Sequence, residues 1–278
     1  MSFSEAVVRY RFPLLVLLLL LGGLSFSAFT SMAEVWYRDP NYSHGFLVPL
    51  ISGYIVYRKA GILKDTPVVP DNRGILVVLA ALLLFVAASL GTESFTMRVS
   101  LVVVLAGLVL FLFGREVFRI AAFPLAYLFF MVPLPYILYD SVAFPLKLFV
   151  AKYSVLFLKT AGIVVWREGN IIMFPAIVLE VADACSGIRS LLSLLALSVA
   201  FAYFAQPSLL KRAAVIASAV PIALFVNALR VIVTGILAHY WGGRAAEGFF
   251  HEFAGMAVFG LAVVLMILTG ILVGRIGR

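Results

Sequence analysis

The chain has very few charged residues for its length. Only 12% of its 278 residues are Asp, Glu, Lys or Arg, whereas 64% are hydrophobic, and the mean hydropathy is +1.14. Soluble domains carry roughly 25% charged residues. The scarcity of charge therefore excludes an ordinary soluble protein and indicates an integral membrane protein.

Cysteine and histidine are also scarce. A single thiol cannot form an intramolecular disulfide, and His44, His239 and His251 lack the spacing of metal ligands. The sequence therefore predicts no disulfide, no metal site and no cofactor. The net charge of +8 comes without a basic stripe or a nucleic-acid motif, so we expect no nucleic-acid partner.

Apolar runs near 20 residues recur along the chain, as bilayer-spanning helices require. They predict an all-α polytopic membrane protein that forms one integral membrane domain over residues 1–278, with no soluble carboxy-terminal domain. The eight predicted spans cover residues 12–30, 44–58, 74–91, 97–114, 119–136, 186–205, 212–240 and 251–274. With the amino terminus inside, every short cytoplasmic segment is basic and together these hold 12 of the 21 Lys and Arg, so both termini are predicted to be cytoplasmic.

The stretch 137–185 differs from the predicted spans. Its first half, 137–160, carries Lys147, Lys152 and Lys159 among apolar residues, which favours an amphipathic helix on the outer interface or a re-entrant segment. In the second half, 164–181, two β-rich runs flank Pro175-Ala176. This pattern predicts a small extracytoplasmic β-hairpin.

Cys185 lies directly before an apolar run that predicts a helix. Asp183 is a plausible N-cap, which places the thiol in the first helical turn, where free N–H groups favour a thiolate. Arg189, four residues on, adds positive charge to the same face. The alternative is that Cys185 is a small buried hydrophobic residue.

Two further residues are predicted at the depth of Cys185. Arg230 follows Lys211 by 19 residues, or about 28 Å of helix, which places it in the outer leaflet, and His251 opens the last span at the same face. Asn227 shares the helix face of Arg230. Alternatively, Arg230 reaches the head groups or pairs with Glu180 or Asp183, and His251 is an interfacial histidine.

Together, Cys185, His251 and Arg230 suggest a thiol nucleophile, an imidazole base and an arginine donor. The thiolate would attack an amide carbonyl to give a thioester, and His251 would deprotonate the thiol and later protonate the leaving amine. Arg230 would stabilise the oxyanion that forms in between. We predict these three residues to be catalytic.

Several segments resemble motifs of the exosortases. The segment from Asp183 to Ser190, DACSGIRS, resembles their cysteine motif, and the segment from Asn227 to Val231, NALRV, is similar to their arginine motif. His251 matches their histidine position, and the segment from Tyr42 to Pro49, YSHGFLVP, resembles their amino-terminal signature. The resemblance implies a multi-pass inner-membrane cysteine protease or transpeptidase of Gram-negative bacteria with a periplasmic active site.

The resemblance also implies the partners. These are membrane-anchored proteins that end in a Pro-Glu-Pro motif, a transmembrane helix and a basic tail, often in bacteria that make exopolysaccharide. The substrate helix would enter laterally from the membrane lipid, and the hairpin would add the extended motif as a strand. Arg189, Asn227 and His44 are the predicted substrate-binding residues, although His44 is explained more simply as an interfacial residue that starts the second helix.

Two other classes of function remain open from the residues. A non-catalytic membrane subunit of an exopolysaccharide assembly or export system would use the polar residues to hold helices together. A transporter is less well supported because the spans show no inverted repeat and few charges fall at mid-bilayer.

Overall fold

A computed structural model describes residues 1–175, 178–181, 188–242 and 249–276. Within them the fold is all-α, with the helices of a polytopic membrane protein and one small β-sheet, as the sequence predicted. The chain forms two compact units, Met1–Leu134 and Pro135–Arg278.

The first unit is entirely helical in the structure. Its α-helices are α1 (Phe3–Arg9), α2 (Arg11–Arg38), α3 (Leu47–Arg58), α4 (Ala60–Asp65), α5 (Arg73–Leu90) and α6 (Ser94–Tyr127), with 3₁₀ helices at Pro40–Phe46 and Leu128–Met131. Local signals start several of them. Ser2 and Glu5 form a reciprocal cap on α1, and the carboxylate of Glu93 accepts the first N–H groups of α6 at 2.9 and 2.7 Å.

Seven helices in the described part of the chain are long and apolar enough to cross a membrane. They are Arg11–Arg38, Arg73–Leu90, Ser94–Met131, Tyr136–Thr160, Ile188–Ala205, Leu209–Trp241 and Gly255–Arg275. The predicted span at 44–58 is α-helical only from Leu47, since a 3₁₀ helix precedes α3, and the 12 residues of α3, about 18 Å, are fewer than those of the seven candidate spans. Here the backbone of Gly45 packs directly on the indole of Trp36.

Gly114 breaks α6 into two arms. Its φ of +84° and ψ of −175° lie outside the helical region. Arg98, in the first arm, donates to Oγ of Ser31 at 3.2 Å, and the carbonyl of Met131, beyond the second arm, accepts from Nε1 of Trp36 at 2.8 Å. Because both partners lie in the last third of α2, the chain turns back at Gly114, and the predicted spans 97–114 and 119–136 correspond to the two arms.

The basic segments of the first unit lie together at one end, where they contact one another. The N–H of Phe3 donates to the carbonyl of Thr66 at 2.9 Å, and Oγ of Ser4 donates to the carbonyl of Lys64 at 3.2 Å. Beside them, Val69 pairs with Gly114, and Arg115 binds Asp71. This end therefore contains α1, α4 and the turn of α6, while Trp36 and Met131 lie at the other end.

The second unit combines four helices with the sheet. The helices are α7 (Tyr136–Thr160), α8 (Ile188–Ala205), α9 (Leu209–Trp241) and α10 (Phe249–Arg275), and the strands are β1 (Trp166–Glu168), β2 (Ile171–Met173) and β3 (Val178–Glu180). The strands are antiparallel in the order β1-β2-β3. The predicted hairpin around Pro175 is confirmed as β2 and β3, and β1 adds a strand that the sequence did not predict.

The segment 137–160 forms the single helix α7, which is itself a candidate span by length and composition. The lysines had argued against a span. They lie off the buried face, which is formed by Val150, Ala151, Ser154 and Leu158, so they do not interrupt an otherwise apolar helix.

Candidate functional site

All three predicted catalytic residues belong to the second unit. Cys185 lies outside the described residues, as does its predicted N-cap Asp183. His251 is the third residue of α10, and Arg230 is a half-buried residue of α9 whose side chain the structure describes.

Arg230 packs against α10 beside His251. A Cβ placed on Gly255 would lie 3.7 Å from Nη2 of Arg230, 3.8 Å from Cζ and 3.9 Å from Nη1. These are ordinary van der Waals distances, so the guanidinium lies next to Gly255 with room for a Cβ between them. Gly255 follows His251 by one helical turn, and the structure therefore brings Arg230 and the backbone of the predicted base together on neighbouring helices.

A second contact at the far end fixes how α9 and α10 are aligned. Nζ of Lys211 donates to the carbonyl of Gly274 at 3.2 Å. Lys211 precedes Arg230 by 19 residues, and Gly255 precedes Gly274 by the same number. The helices thus run antiparallel in matched register over about 28 Å.

Small residues fill the space between these two contacts. A buried cluster there contains Ala219 and Ala223 of α9 together with Ala262 and Met266 of α10. Such close packing of small side chains is how helices associate within a bilayer.

The described chain on both sides of Cys185 is held on the same part of α9. Val181 is buried in one cluster with Val231, the neighbour of Arg230. Leu191, near the start of α8, is buried in another cluster with Ala223 and Val226. The described ends of the chain that flank the cysteine segment therefore both pack on α9 within about two turns of Arg230.

The predicted substrate-binding residues of the second unit have contrasting surroundings. Asn227 is 2% exposed and lies one turn before Arg230 on the same face of α9, as predicted. Arg189 is the second residue of α8, and its side chain is exposed.

His44 lies in the first unit, within the 3₁₀ helix Pro40–Phe46. Burial lowers the pKa of His44, against the opposing effect of the backbone carbonyls of Phe130 and Asn41. Its ring lies 6.5 Å from that of Tyr42. These contacts place His44 in the turn that leads into α3.

Two residues beside Arg230 were missed by the sequence reasoning. Gly255 lies next to the guanidinium, and Ser154 of α7, fully buried, donates to the carbonyl of Ala228 at 3.4 Å. A small residue in an apolar helix is a weak signal, because such helices use many small residues for packing. Among the residues the structure describes, no group of three or more His, Cys, Asp or Glu could hold a metal ion.

Comparison with known proteins gives one match. A family model described as transmembrane exosortase matches residues 36–268, which is most of the chain and includes parts of both units. A search of curated proteins and a search of solved structures found no match.

Proposed function

The chain belongs to the transmembrane exosortase family, and we propose that it is a membrane-embedded cysteine protease or transpeptidase that cleaves carboxy-terminal sorting signals of exported proteins. The observation that carries the proposal is the packing of Arg230 on Gly255, one turn from His251. The packing of Val181 and Leu191 near Arg230 supports a place for Cys185 at the same site.

In the proposed reaction, His251 takes the proton of Cys185, and the thiolate attacks the carbonyl carbon of the scissile peptide. The oxyanion of the tetrahedral intermediate accepts hydrogen bonds from Arg230. His251 then protonates the leaving amine, the C–N bond breaks, and a thioester to Cys185 remains. Water or an amine attacks the thioester and frees the thiol.

The small sheet is suited to hold an extended substrate segment. β1 is an edge strand, and its residues Trp166, Arg167 and Glu168 are exposed. An edge strand can pair with an added strand through its free backbone groups. We propose that the Pro-Glu-Pro segment of the substrate pairs here, with Arg167 beside its glutamate, while the substrate helix stays in the lipid.

The charge distribution supports a location and an orientation. The basic end of the first unit and the end of the second unit that carries Lys211, Arg212 and Arg275 would face the cytoplasm. In this arrangement the protein lies in the bacterial inner membrane, its termini are cytoplasmic, and Arg230 and His251 face the periplasm.

The proposal is tested by removing the thiol of Cys185 and measuring cleavage of a substrate. Cys185→Ala, co-expressed with a tagged reporter that carries a Pro-Glu-Pro motif, an apolar helix and a basic tail, should leave the reporter uncleaved while the enzyme stays in the membrane at normal level. Ser198→Ala is the matched control, since Ser198 is a buried small residue of α8 that follows the start of the helix by ten residues. It should cleave normally.

Full cleavage by Cys185→Ala would refute the thiol mechanism. It would favour the alternative function, a non-catalytic membrane subunit of an exopolysaccharide assembly or export system.

A further inference from the structure

A cavity of about 580 Å³ opens at the end of the second unit that lies opposite Arg230. It lies between the last turns of α8 and α10 and the first turn of α9. One side is apolar and is formed by Phe201, Ile267 and Ile271, while Gln206, Lys211 and Arg275 form the polar side. The cavity is therefore amphipathic.

Gln206 lines this cavity and carries an unsatisfied acceptor. Its side chain is 4% exposed, and Nε2 donates to the carbonyl of Gly270 at 2.7 Å. Among the described residues, Oε1 of Gln206 has no hydrogen-bond partner. Leaving a buried acceptor unpaired costs free energy. A ligand that donates a hydrogen bond to this oxygen would therefore be favoured.

The polar side is also cationic. Nζ of Lys211 donates to the carbonyl of Gly274, which uses one of its three donors. Arg275 is exposed, and Arg212 lies next to the cavity with Nε on the carbonyl of Gln206 at 2.9 Å. None of the described lining residues is acidic. The positive N-terminal end of α9 adds to the attraction for an anion.

We propose that this cavity binds an anionic glycerophospholipid whose head group carries a hydroxyl, such as phosphatidylglycerol. The phosphate lies between Lys211 and Arg275, and the head-group hydroxyl donates to Oε1 of Gln206. An acyl chain runs along Phe201, Ile267 and Ile271. Basic pockets between transmembrane helices bind anionic lipid head groups in this way. The site does not depend on the cysteine chemistry, because it lies about 28 Å along α9 from Arg230.

The purified full-length protein in detergent can be tested by native mass spectrometry with phosphatidylglycerol, phosphatidic acid and phosphatidylcholine of identical acyl chains. The wild type should bind phosphatidylglycerol in preference to phosphatidylcholine. Lys211→Gln combined with Arg275→Gln should weaken phosphatidylglycerol binding by about tenfold to thirtyfold, as expected for two charges near a head group. Gln206→Met should weaken binding of phosphatidylglycerol more than that of phosphatidic acid, which lacks the head-group hydroxyl.

Arg73→Gln is the matched control, because Arg73 is an exposed basic residue of the first unit. It should change none of these affinities. The single variant Arg275→Gln, at an exposed position, serves if the double variant does not fold, and it should still weaken phosphatidylglycerol binding. Equal binding of phosphatidylglycerol and phosphatidylcholine would overturn the proposal. Displacement of the lipid by millimolar inorganic phosphate would also overturn it, since it would indicate a site for free phosphate.

Discussion

Arg230 is the predicted catalytic residue whose side chain the structure describes. A guanidinium half-buried among apolar helices is costly unless it is paired or faces a polar site. If it binds the oxyanion, Arg230→Lys should keep the charge but lose the planar donor geometry. We expect cleavage to fall roughly a hundredfold to a thousandfold, about 2.7–4 kcal/mol, at unchanged enzyme level.

The measurement is precursor cleavage together with enzyme abundance for Arg230→Lys and Arg230→Ala. Arg275→Lys is the control, because Arg275 is exposed at the other end of α10. Near-normal cleavage by Arg230→Lys, with low abundance of Arg230→Ala, would assign the arginine a structural role.

His44 should make the stability of the protein depend on pH. Burial lowers the pKa of His44 in the folded protein, so the unfolded chain binds this proton more readily. The contribution is therefore fully present above the unfolded pKa of about 6.5 and is lost as the pH falls below it. Thermal unfolding of the protein in detergent should show a midpoint that drops as the pH falls below about 6.5.

His44→Gln should flatten that part of the pH profile. His239→Gln, at an exposed position, removes a histidine elsewhere and is the control. A profile that His44→Gln leaves unchanged would mean that another group causes the acid sensitivity.

For individual residues, the sequence predicted positions along one helix well and contacts between helices poorly. Arg230 could be placed far from Lys211 along the same helix because distance along a helix is proportional to residue number. Gly255 could not be found, since its role depends on how two helices are aligned with each other. No pattern within one helix encodes that alignment.

At the scale of single elements, the turn of α6 depends on Gly114. Its backbone conformation is nearly restricted to glycine, and a Cβ there would overlap the carbonyl oxygen of Val69. Gly114→Ala should therefore destabilise the first unit by at least about 1–3 kcal/mol. The thermal unfolding midpoint and the amount of protein in the membrane should both fall.

Gly53→Ala is the control for Gly114→Ala. Gly53 lies within α3, and nothing lies within 4 Å of the position where its Cβ would be. It should leave stability unchanged or slightly improved, because alanine favours a helix. Equal stability of the two variants would show that the chain can turn back at residue 114 without a glycine.

The elements that the sequence predicted well are those with strong local signals. Long apolar runs gave helices at or near their predicted positions, and Pro175 between β-rich runs gave a hairpin. Within 44–58 the α-helix begins only at Leu47, after a 3₁₀ helix in which Gly45 packs on Trp36. The apolar content of 44–58 does not show where one kind of helix changes to the other.

At the scale of the whole molecule, the proposed orientation predicts on which side of the membrane α7 ends. Within the second unit, α7 runs beside α9 in the same direction, because Ser154 donates to the carbonyl of Ala228 and Leu158 packs on Gly235 one to two turns further on. If the basic end of this unit, which carries Lys211, faces the cytoplasm, the Thr160 end of α7 is therefore periplasmic.

A single cysteine at Thr160, in a Cys185→Ala background, should therefore react with a membrane-impermeant maleimide added from the periplasmic side. A cysteine at Arg212 should not react, which makes it the control. Labelling of Arg212→Cys and not of Thr160→Cys would place the cysteine segment on the cytoplasmic side, against the proposed site.

The matched register of α9 and α10 limits how their lengths can change. Lys211 with Gly274, and Arg230 with Gly255, are contacts at the two ends of equal stretches of helix. One inserted residue in either stretch shifts one contact by about 1.5 Å along the axis and about 100° around it, so both contacts cannot survive. A compensating insertion in the other helix restores the axial match but leaves each side chain on the wrong face. Insertions and deletions should therefore be tolerated here only in both helices together and in near-whole turns, such as about seven residues.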